Sequence, residues 1–385
     1  MLLALWPLFV TLRERTNIIM YNKDKRIVVT LDAGGTNFVF GAMRGCEYIT
    51  EPLTLPSCAG DLDRCLGQLV AGFRTIINGL PEQPVAISFS FPGPADYANG
   101  IVGGFLPNFP SFRDGVALGP YLESVFGLPV FINNDGDLFA FGEATAGRLV
   151  DINRRVAEYG SERQYRNLLG YTFGTGFGIG SVVNGQLNIG NNSCVETFCL
   201  PYKYDHGLMT EDFCSIRAVT REYARLSGDS SALTPKEIGE IADGRRNGDV
   251  GAARESFRRF GEVAGDAIAT AVTLTDSLVV LGGGLTGSAH LIMPALLKEM
   301  REKIRMIDGN TLQRVQMEVF NLDDEMEFER FLKGDARPLK VYGTEQTVSY
   351  DPMKRTGVCI SRLGASRAIA IGAYTVALTA IDSCK

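Results

Sequence analysis

Histidine is scarce in this chain, with only His206 and His290 among 385 residues. The eight cysteines include no Cys-x-x-Cys pair, so no Cys/His metal site of the usual spacing can be assembled. A proton acceptor for catalysis would therefore have to be a carboxylate. Scattered cysteines in an acidic globular chain also favour reduced thiols, which are typical of the cytoplasm.

Basic residues are not in excess either: 38 Lys and Arg stand against 44 Asp and Glu, and the net charge is −6. This balance argues against a nucleic-acid partner and favours a small-molecule ligand. Long apolar runs are also lacking, because the run at residues 2–10 is shorter than the roughly 20 residues of a membrane helix. No basic region precedes it and no small-x-small cleavage site follows it, so we expect no membrane partner and interpret residues 1–24 as an N-terminal extension, with Met20 as an alternative start. Export stays a minor alternative.

The chain does have enough apolar sequence, 45% of its residues, for two domains with a cleft between them. Apolar runs and glycine-containing turns predict three short strands from residue 27, a helix at 61–77 and a further buried strand. From residue 168 a second half shows the same order, with strands around a glycine-rich turn followed by helical segments. We therefore predict an α/β fold with domains at 25–133 and 134–367, the second carrying a polar surface insertion at 321–357.

A glycine-rich turn follows the first predicted strand. Gly34 and Gly35 would let backbone N–H groups approach phosphate oxygens, Thr36 adds a hydroxyl donor, and Asp32 can hold a hydrated Mg²⁺. An ordinary glycine hairpin would have a similar composition. No Gly-Lys-Ser/Thr follows, so the turn is not a Walker loop. The nucleotide-binding residues predicted here are Asp32, Gly34, Gly35, Thr36 and Asn37.

A second turn of this kind lies in the second half, with Gly174, Thr175 and Gly176 between two predicted strands. Two hairpins at corresponding places could hold a triphosphate from both sides, whereas one alone could easily be structural. A third glycine cluster, including Gly283 and Gly284, follows a buried strand. It could let a nucleotide lie flat at the carboxyl end of that strand.

Two amides and two carboxylates follow another predicted strand, between the two hairpins. Asp137 is a plausible N-cap of a helix at residues 138–146, which is a purely structural role. That role does not explain Asp135. A sugar hydroxyl held against Asp135 would lose its proton to this carboxylate as the bond to phosphorus forms.

These motifs, taken in order, resemble the ROK family (repressors, open reading frames and kinases) of the actin-like sugar-kinase superfamily. The resemblance runs from residue 25 to residue 380. Its motifs are residues 32–37, 91–94 (Phe-Pro-Gly-Pro), 106–110 (Leu-Pro-Asn-Phe-Pro), Asn134-Asp135 with Glu143, Gly174-Thr175-Gly176, the glycines 282–284, Leu363-Gly364 and Gly372-Ala373.

The resemblance implies two RNase-H-like domains of the actin-like ATPase fold that close over a sugar and Mg·ATP, in a homodimer. We expect the C-terminal helix, residues 368–385, to complete the first domain. The resemblance also implies that Asp135 is the catalytic base. The sugar-binding residues that it implies are Gly93, Asn108, Asn134, Glu196 and Glu211.

One part of the family pattern is missing. Many members carry a histidine that contacts both zinc and the sugar, followed by a cysteine-rich zinc knuckle, whereas Cys199 stands at the histidine position here and the knuckle cysteines are absent. We therefore predict no zinc. Glu196 could also be a solvated loop carboxylate, and Glu211 a charge at a helix N-terminus.

The hypothesis that these residues favour is an ATP-dependent kinase acting on a hexose or an N-acetylhexosamine. A sugar-responsive transcriptional regulator is the alternative, because repressors form the other branch of the family, but the acidic chain shows no helix-turn-helix pattern ahead of Asp32. A catalytically idle sugar sensor would be expected to lose the base or a phosphate loop. This chain retains both the candidate base, Asp135, and the two glycine hairpins.

Overall fold

The computed structural model describes residues 21–383, and most of the predicted N-terminal extension lies outside these residues. The strands, numbered in chain order, are β1 Val28–Ala33, β2 Asn37–Arg44, β3 Glu47–Tyr48, β4 Leu53–Pro56, β5 Ala86–Ser90, β6 Ala95–Asp96, β7 Ile101–Val102, β8 Val130–Asn133, β9 Leu168–Phe173, β10 Phe177–Val183, β11 Gln186–Leu187, β12 Pro201–Tyr202, β13 Asp205–Met209, β14 Leu278–Gly282, β15 Lys303–Arg305, β16 Thr311–Gln313, β17 Glu318–Asn321, β18 Arg337–Lys340, β19 Thr347–Tyr350 and β20 Arg355–Ile360. The α-helices are α1 Leu62–Gly79, α2 Leu118–Phe126, α3 Asp135–Thr145, α4 Arg148–Glu158, α5 Ile216–Ser227, α6 Pro235–Ala242, α7 Val250–Thr275, α8 Ala289–Met300, α9 Glu325–Lys333 and α10 Ala365–Ser383. No helix in this part of the chain is long and apolar enough to cross a membrane.

The two large sheets repeat one strand order. The first sheet runs β3-β2-β1-β5-β8, with β4 also pairing with β2, and the second runs β11-β10-β9-β14-β20-β17. In each sheet the first two long strands form an antiparallel hairpin, and the later strands join in parallel. This repetition is what two related α/β domains require, and it places both glycine hairpins at equivalent sheet positions.

Helix α1 illustrates how the sequence pattern produces this packing. The Asp61 side chain accepts a hydrogen bond from the Arg64 N–H at 3.1 Å and so caps the helix. The apolar residues at helical spacing are buried on one face, where Phe73 packs against Phe40 and Phe89 of the first sheet at ring distances of 5.0 and 5.6 Å. The predicted helix at 61–77 is confirmed, with its apolar face on the sheet as its periodicity requires.

Helix α10 returns the C-terminus to the first sheet. Tyr374 is fully buried there, its hydroxyl donates to the Arg26 carbonyl at 3.2 Å, and it accepts from the Gly45 N–H at 2.9 Å. Tyr21 is buried in the same cluster. On these contacts we propose that the first domain comprises residues 25–133 together with this helix, whose last two predicted residues, 384 and 385, lie outside the described part.

The predicted surface insertion at 321–357 is only partly at the surface. Asn321 ends β17, and residues 355–357 begin β20, so both ends of the segment belong to the second sheet. Helix α9 lies between them and buries Phe328, Phe331 and Leu332 in the core. Only the β18–β19 hairpin is exposed along both strands. The prediction was wrong for α9 because a short helix with three glutamates on its outer side resembles a polar loop.

Candidate active site

The first glycine hairpin joins β1 to β2 and is tied back to the chain that follows β4. The Gly34 N–H donates to the Asn37 carbonyl at 3.0 Å. Ser57, which is buried, donates its N–H to the Thr36 carbonyl at 2.9 Å and its hydroxyl to the Gly35 carbonyl at 2.5 Å. Ser57 therefore fixes both central carbonyls of the hairpin, and no motif in the sequence marked it for this role.

The same hairpin touches a residue predicted to bind sugar. A Cβ added at Gly35 would lie 3.1 Å from the Cβ of Asn108, which is tighter than an ordinary van der Waals contact. The absence of a side chain at Gly35 thus lets the loop that carries Asn108 approach the predicted phosphate-binding backbone. Gly93, the other predicted sugar contact in this domain, lies against the Tyr97 hydroxyl.

An aromatic cluster lies beneath these three loops. The ring of Phe109 stacks on Phe38 at 6.1 Å and lies 4.6 Å from Phe91 and 5.8 Å from Phe112. Phe38 comes directly after the first hairpin, Phe109 directly after Asn108, and Phe91 shortly before Gly93. The cluster therefore gives the functional loops one rigid apolar base.

The second glycine hairpin joins β9 to β10 and is held by residues from outside its own strands. The Gly174 carbonyl accepts from the Ile216 N–H at 2.9 Å, at the start of α5. The Phe177 N–H donates to Oε2 of Glu211 at 3.1 Å. Glu211 therefore lies at the predicted phosphate site with one oxygen bound to its backbone, and its second oxygen is 3.4 Å from Arg217.

The third glycine cluster supports this second hairpin. Gly283 has a φ of +89°, which favours glycine, and a Cβ added there would overlap the backbone of Phe173, where β9 enters the hairpin. Gly284 is different, since its position has open space for a side chain. Gly283 thus has a steric reason to be glycine, and Gly284 does not.

Asp135 is the first residue of α3, directly after β8. Asn134 is the N-cap, and its Oδ1 accepts from the Gly136 N–H at 2.7 Å. The same N–H is 2.8 Å from Oδ1 of Asp135. The expected cap at Asp137 is wrong, because the helix begins earlier and Asp137 is buried inside its first turn.

The carboxylates of this region shift one another's pKa values upwards. The Asp135 side chain keeps contact with solvent, yet enough protein is packed around it that desolvation raises the pKa of its carboxyl, and the charge of Asp32 adds to the rise. Burial raises the pKa of Asp137 well above its usual range. Burial, followed by the charges of Asp135 and Glu211, raises the pKa of Glu196 to about 7. Clustered carboxylates with raised pKa values are typical of functional sites.

The structure thus brings the predicted residues of both domains to one place. Asp32 and Asp135 influence each other across the cleft, and the charges of Asp135 and Glu211 reach Glu196. The loop that ends in Cys199 runs beside Glu211, whose N–H donates to the Phe198 carbonyl at 3.1 Å. Cys199 itself is exposed, and its thiol forms no disulfide.

The residues of this site can be compared with the ligand needs of Mg²⁺ and of zinc. Asp32 is the last residue but one of β1 and has an exposed side chain beside the first hairpin, a setting that suits Mg²⁺ carried by a triphosphate, since Mg²⁺ usually takes one or two carboxylates plus phosphate oxygens. Zinc needs a closed set of protein ligands. Between residues 21 and 383 no group of three or more His, Cys, Asp or Glu side chains is placed to hold a metal ion.

The sequence matches the model of the ROK family over residues 28–323. The chain belongs to the ROK family. The crystal structure of a glucokinase from Parabacteroides distasonis ATCC 8503 is 55% identical to it, with a TM-score of 0.87, and the match covers 94% of this chain and 99% of that one. The predicted pair of RNase-H-like domains with the actin-like ATPase fold is confirmed.

Two more distant relatives show the range of the family. The structure of a ROK family glucokinase from Streptomyces griseus, solved in complex with glucose and AMPPNP, is 19% identical with a TM-score of 0.57 and covers 91% of this chain and 98% of that one. A xylose repressor from Bacillus spizizenii is 22% identical over 78% of this chain and 75% of its own length. The chain is thus similar in fold to a kinase and similar in sequence to a repressor.

Proposed function

We propose that this protein is an ATP-dependent sugar kinase, similar to glucokinases, that phosphorylates a hydroxyl of a hexose or an N-acetylhexosamine. The observation that carries the proposal is the position of Asp135 at the N-terminus of α3, beside Asp32 and between two glycine hairpins from different domains. The 55% identity to a glucokinase over nearly the whole chain supports the same activity.

Asp135 is the proposed general base. The acceptor hydroxyl gives its proton to the carboxylate while its oxygen bonds to the γ-phosphorus, and the bond from that phosphorus to the bridging β,γ-oxygen breaks to release ADP. Desolvation raises the pKa of Asp135, and a higher pKa makes its carboxylate a stronger acceptor for the hydroxyl proton.

The remaining sugar hydroxyls are proposed to bind to the polar groups around Asp135. Glu196, with a pKa of about 7, can either donate or accept a hydrogen bond near neutral pH. The full set proposed to bind the sugar is Gly93, Asn108, Asn134, Glu196 and Glu211.

The nucleotide is proposed to lie between the two hairpins. Asp32 would hold Mg²⁺ through water, and the ion would neutralise charge on the β- and γ-phosphates during transfer. The AMPPNP and glucose in the Streptomyces griseus structure are the kinds of ligand that this arrangement would take. The proposed nucleotide-binding residues are Asp32, Gly34, Gly35, Thr36, Asn37, Gly174, Thr175, Gly176, Gly283 and Gly284.

A sugar-responsive regulator is the second candidate, because a xylose repressor also matches most of the chain. The two functions differ in turnover: a regulator or an idle sensor would bind sugar without releasing ADP. We also propose that the kinase is a cytoplasmic homodimer that uses no zinc, in keeping with the family and with the missing knuckle.

An ADP-release assay with Mg·ATP and a panel of hexoses, 2-acetamido sugars and ketohexoses tests the proposal. We expect turnover with glucose or a 2-substituted relative of glucose, since the thiol of Cys199 offers a weaker hydrogen bond than a histidine would. Binding of a sugar without ADP release from any member of the panel would instead support the regulator or the sensor.

A further inference from the structure

The chain between β4 and α1 contacts both the first hairpin and the loop that carries Asn108. Ser57 binds the carbonyls of Gly35 and Thr36, at 2.5 Å through its hydroxyl and at 2.9 Å through its N–H. Two residues later, the Ala59 carbonyl accepts from the Ser111 hydroxyl at 2.7 Å. We call residues 57–59 the connecting segment.

This segment has little freedom of its own. Ser57 is 1% exposed, and the Cys58 carbonyl accepts at 2.9 Å from the N–H of Asp61, the N-cap of α1. Cys58 has a φ of +50°, in the left-handed region, so the backbone turns between the two anchored residues. The segment is therefore anchored at Ser57 and at Ala59 and makes a tight turn between them.

The two regions that it joins serve different ligands in the proposed function. Gly35 and Thr36 belong to the nucleotide hairpin, whereas Ser111 follows the sugar-binding Asn108 in a short 3₁₀ turn at Pro110–Phe112. They also lie close together, since a Cβ added at Gly35 would be only 3.1 Å from the Cβ of Asn108. The hairpin, the sugar loop and the connecting segment form a closed triangle of contacts.

We propose that the connecting segment couples the binding of sugar to the binding of nucleotide, with Ser57 and Ser111 as its positioning residues. The inference rests on the proposed function. Sugar on Asn108 orders the loop at residues 106–111, Ser111 orders Ala59, and Ser57 orders the carbonyls whose neighbouring N–H groups face the phosphates. Coupling of this kind is reciprocal, so nucleotide must strengthen sugar binding by the same factor.

The test measures the dissociation constant of Mg·AMPPNP by calorimetry, with and without saturating glucose. For the wild-type protein we expect glucose to strengthen AMPPNP binding about tenfold, within the usual range of such couplings. Ser111→Ala should leave the glucose-free constant within about twofold of wild type and reduce the coupling to about twofold. Ser57→Ala should also weaken glucose-free binding about fivefold, the effect of one lost hydrogen bond.

Two further variants separate coupling from a general structural effect. Ser124→Ala removes a hydroxyl that donates to the Tyr121 carbonyl at 2.7 Å in α2 of the same domain. It should leave the dissociation constant of Mg·AMPPNP unchanged both with and without glucose. Ser111→Thr keeps a hydroxyl and should keep the coupling. Thermal unfolding shows that each variant is folded.

The outcomes are distinguishable from those of the proposed function. A wild-type protein that phosphorylates glucose but binds AMPPNP equally with and without it overturns the coupling and leaves the kinase standing. If the folded Ser57→Ala and Ser111→Ala variants keep the wild-type strengthening of AMPPNP binding by glucose, the coupling role of the connecting segment is also overturned and the kinase is left standing. A wild-type protein that phosphorylates no sugar overturns the kinase and, with it, this inference.

Discussion

Asp135 is subject to opposing influences at a single position. The N-terminus of α3 and the N–H of Gly136 favour its ionised form, whereas desolvation and the negative charge of Asp32 favour its protonated form. Desolvation is the larger effect, so the pKa is raised. The net effect makes this carboxylate more basic than an ordinary aspartate, which is the direction that the proposed role as a base requires.

Replacing Asp135 with asparagine should remove the base and keep the shape of the site. The Asn side chain can still accept from the Gly136 N–H, so we expect the fold and sugar binding to persist. Turnover should fall by roughly 10²- to 10⁴-fold, the usual contribution of general-base catalysis. Steady-state kinetics and sugar calorimetry measure the two effects, and a variant with nearly wild-type kcat would disprove the assignment.

Glu196 should make the folded protein less stable as the pH rises. Its pKa is about 7 in the folded state, against 4.5 for the ordinary side chain, so the folded state holds its proton between those values while the unfolded state has lost it. Stability contributed by this group is therefore complete below pH 4.5 and is lost progressively up to pH 7. At about 1.4 kcal/mol per pKa unit, the loss is about 3.5 kcal/mol at most.

Urea unfolding at pH 5 and pH 8 tests this expectation in the wild type and in Glu196→Gln. The glutamine variant cannot ionise, so it should lose less stability between the two pH values than the wild type does. Glu329→Gln, at an exposed position of α9, is the matched control and should follow the wild type. Equal pH dependence in Glu196→Gln and the wild type would show that Glu196 is not desolvated.

At the scale of elements, helices α3 and α10 cross at glycines. A Cβ added at Gly372 would overlap the carbonyl of Leu138, and one added at Gly142 would overlap the carbonyl of Ala368. The two backbones can approach this closely only without side chains at these positions. Since α3 carries Asp135 and α10 covers the first sheet, the crossing ties the proposed catalytic residue to both domains.

Gly372→Ala should therefore destabilise the protein by about 1–3 kcal/mol, as overpacking does in other tightly packed interiors. Gly67→Ala in α1 is the control, because that position has open space around it, and alanine there should stabilise by about 0.5–1 kcal/mol. Chemical unfolding compares the two variants with the wild type. If Gly372→Ala were as stable as Gly67→Ala, the helices would not be in the close contact described.

The elements that the sequence predicts well are those with a strong local pattern. Strands β1 and β9 are buried apolar runs before glycines, so the position of Asp32 near the end of β1 and that of Gly174 in the hairpin after β9 could be predicted from sequence. Helix α9 could not, because its nine residues carry three acidic side chains and only its packing shows which face is apolar. The start of α3 was misplaced because both Asn134 and Asp137 are good caps, and only the backbone distinguishes them.

The supporting residues of the site are the part that sequence reasoning missed. Ser57 and the ring cluster around Phe109 act through contacts between segments distant in the chain, and no spacing rule connects them. The bond from the Phe177 N–H to Glu211 is of the same kind. Residue type indicates what a side chain can do, but only the fold shows which partner it meets.

At the scale of the whole molecule, both walls of the cleft are acidic. Asp32 comes from the first sheet, whereas Asp135 and Glu196 come from the second domain. The charge of Asp32 adds to the raised pKa of Asp135, and the charge of Asp135 adds to the raised pKa of Glu196. Like charges that approach across a cleft repel more strongly as water leaves it. We therefore expect these like charges to oppose closure of the two domains when no ligand is bound, and we expect Mg²⁺ to reduce that opposition.

Small-angle X-ray scattering can test this account of closure. Glucose with Mg·AMPPNP should reduce the radius of gyration, because both hairpins then contact one triphosphate and the metal offsets the repulsion between Asp32 and Asp135. Glucose with AMPPNP and a chelator should give a smaller reduction, since phosphate charges then add to the acidic walls. Asp32→Asn removes one of these charges, so its compaction should depend less on Mg²⁺ than that of the wild type. If the wild type contracts equally with and without Mg²⁺, repulsion between the walls does not control the open state.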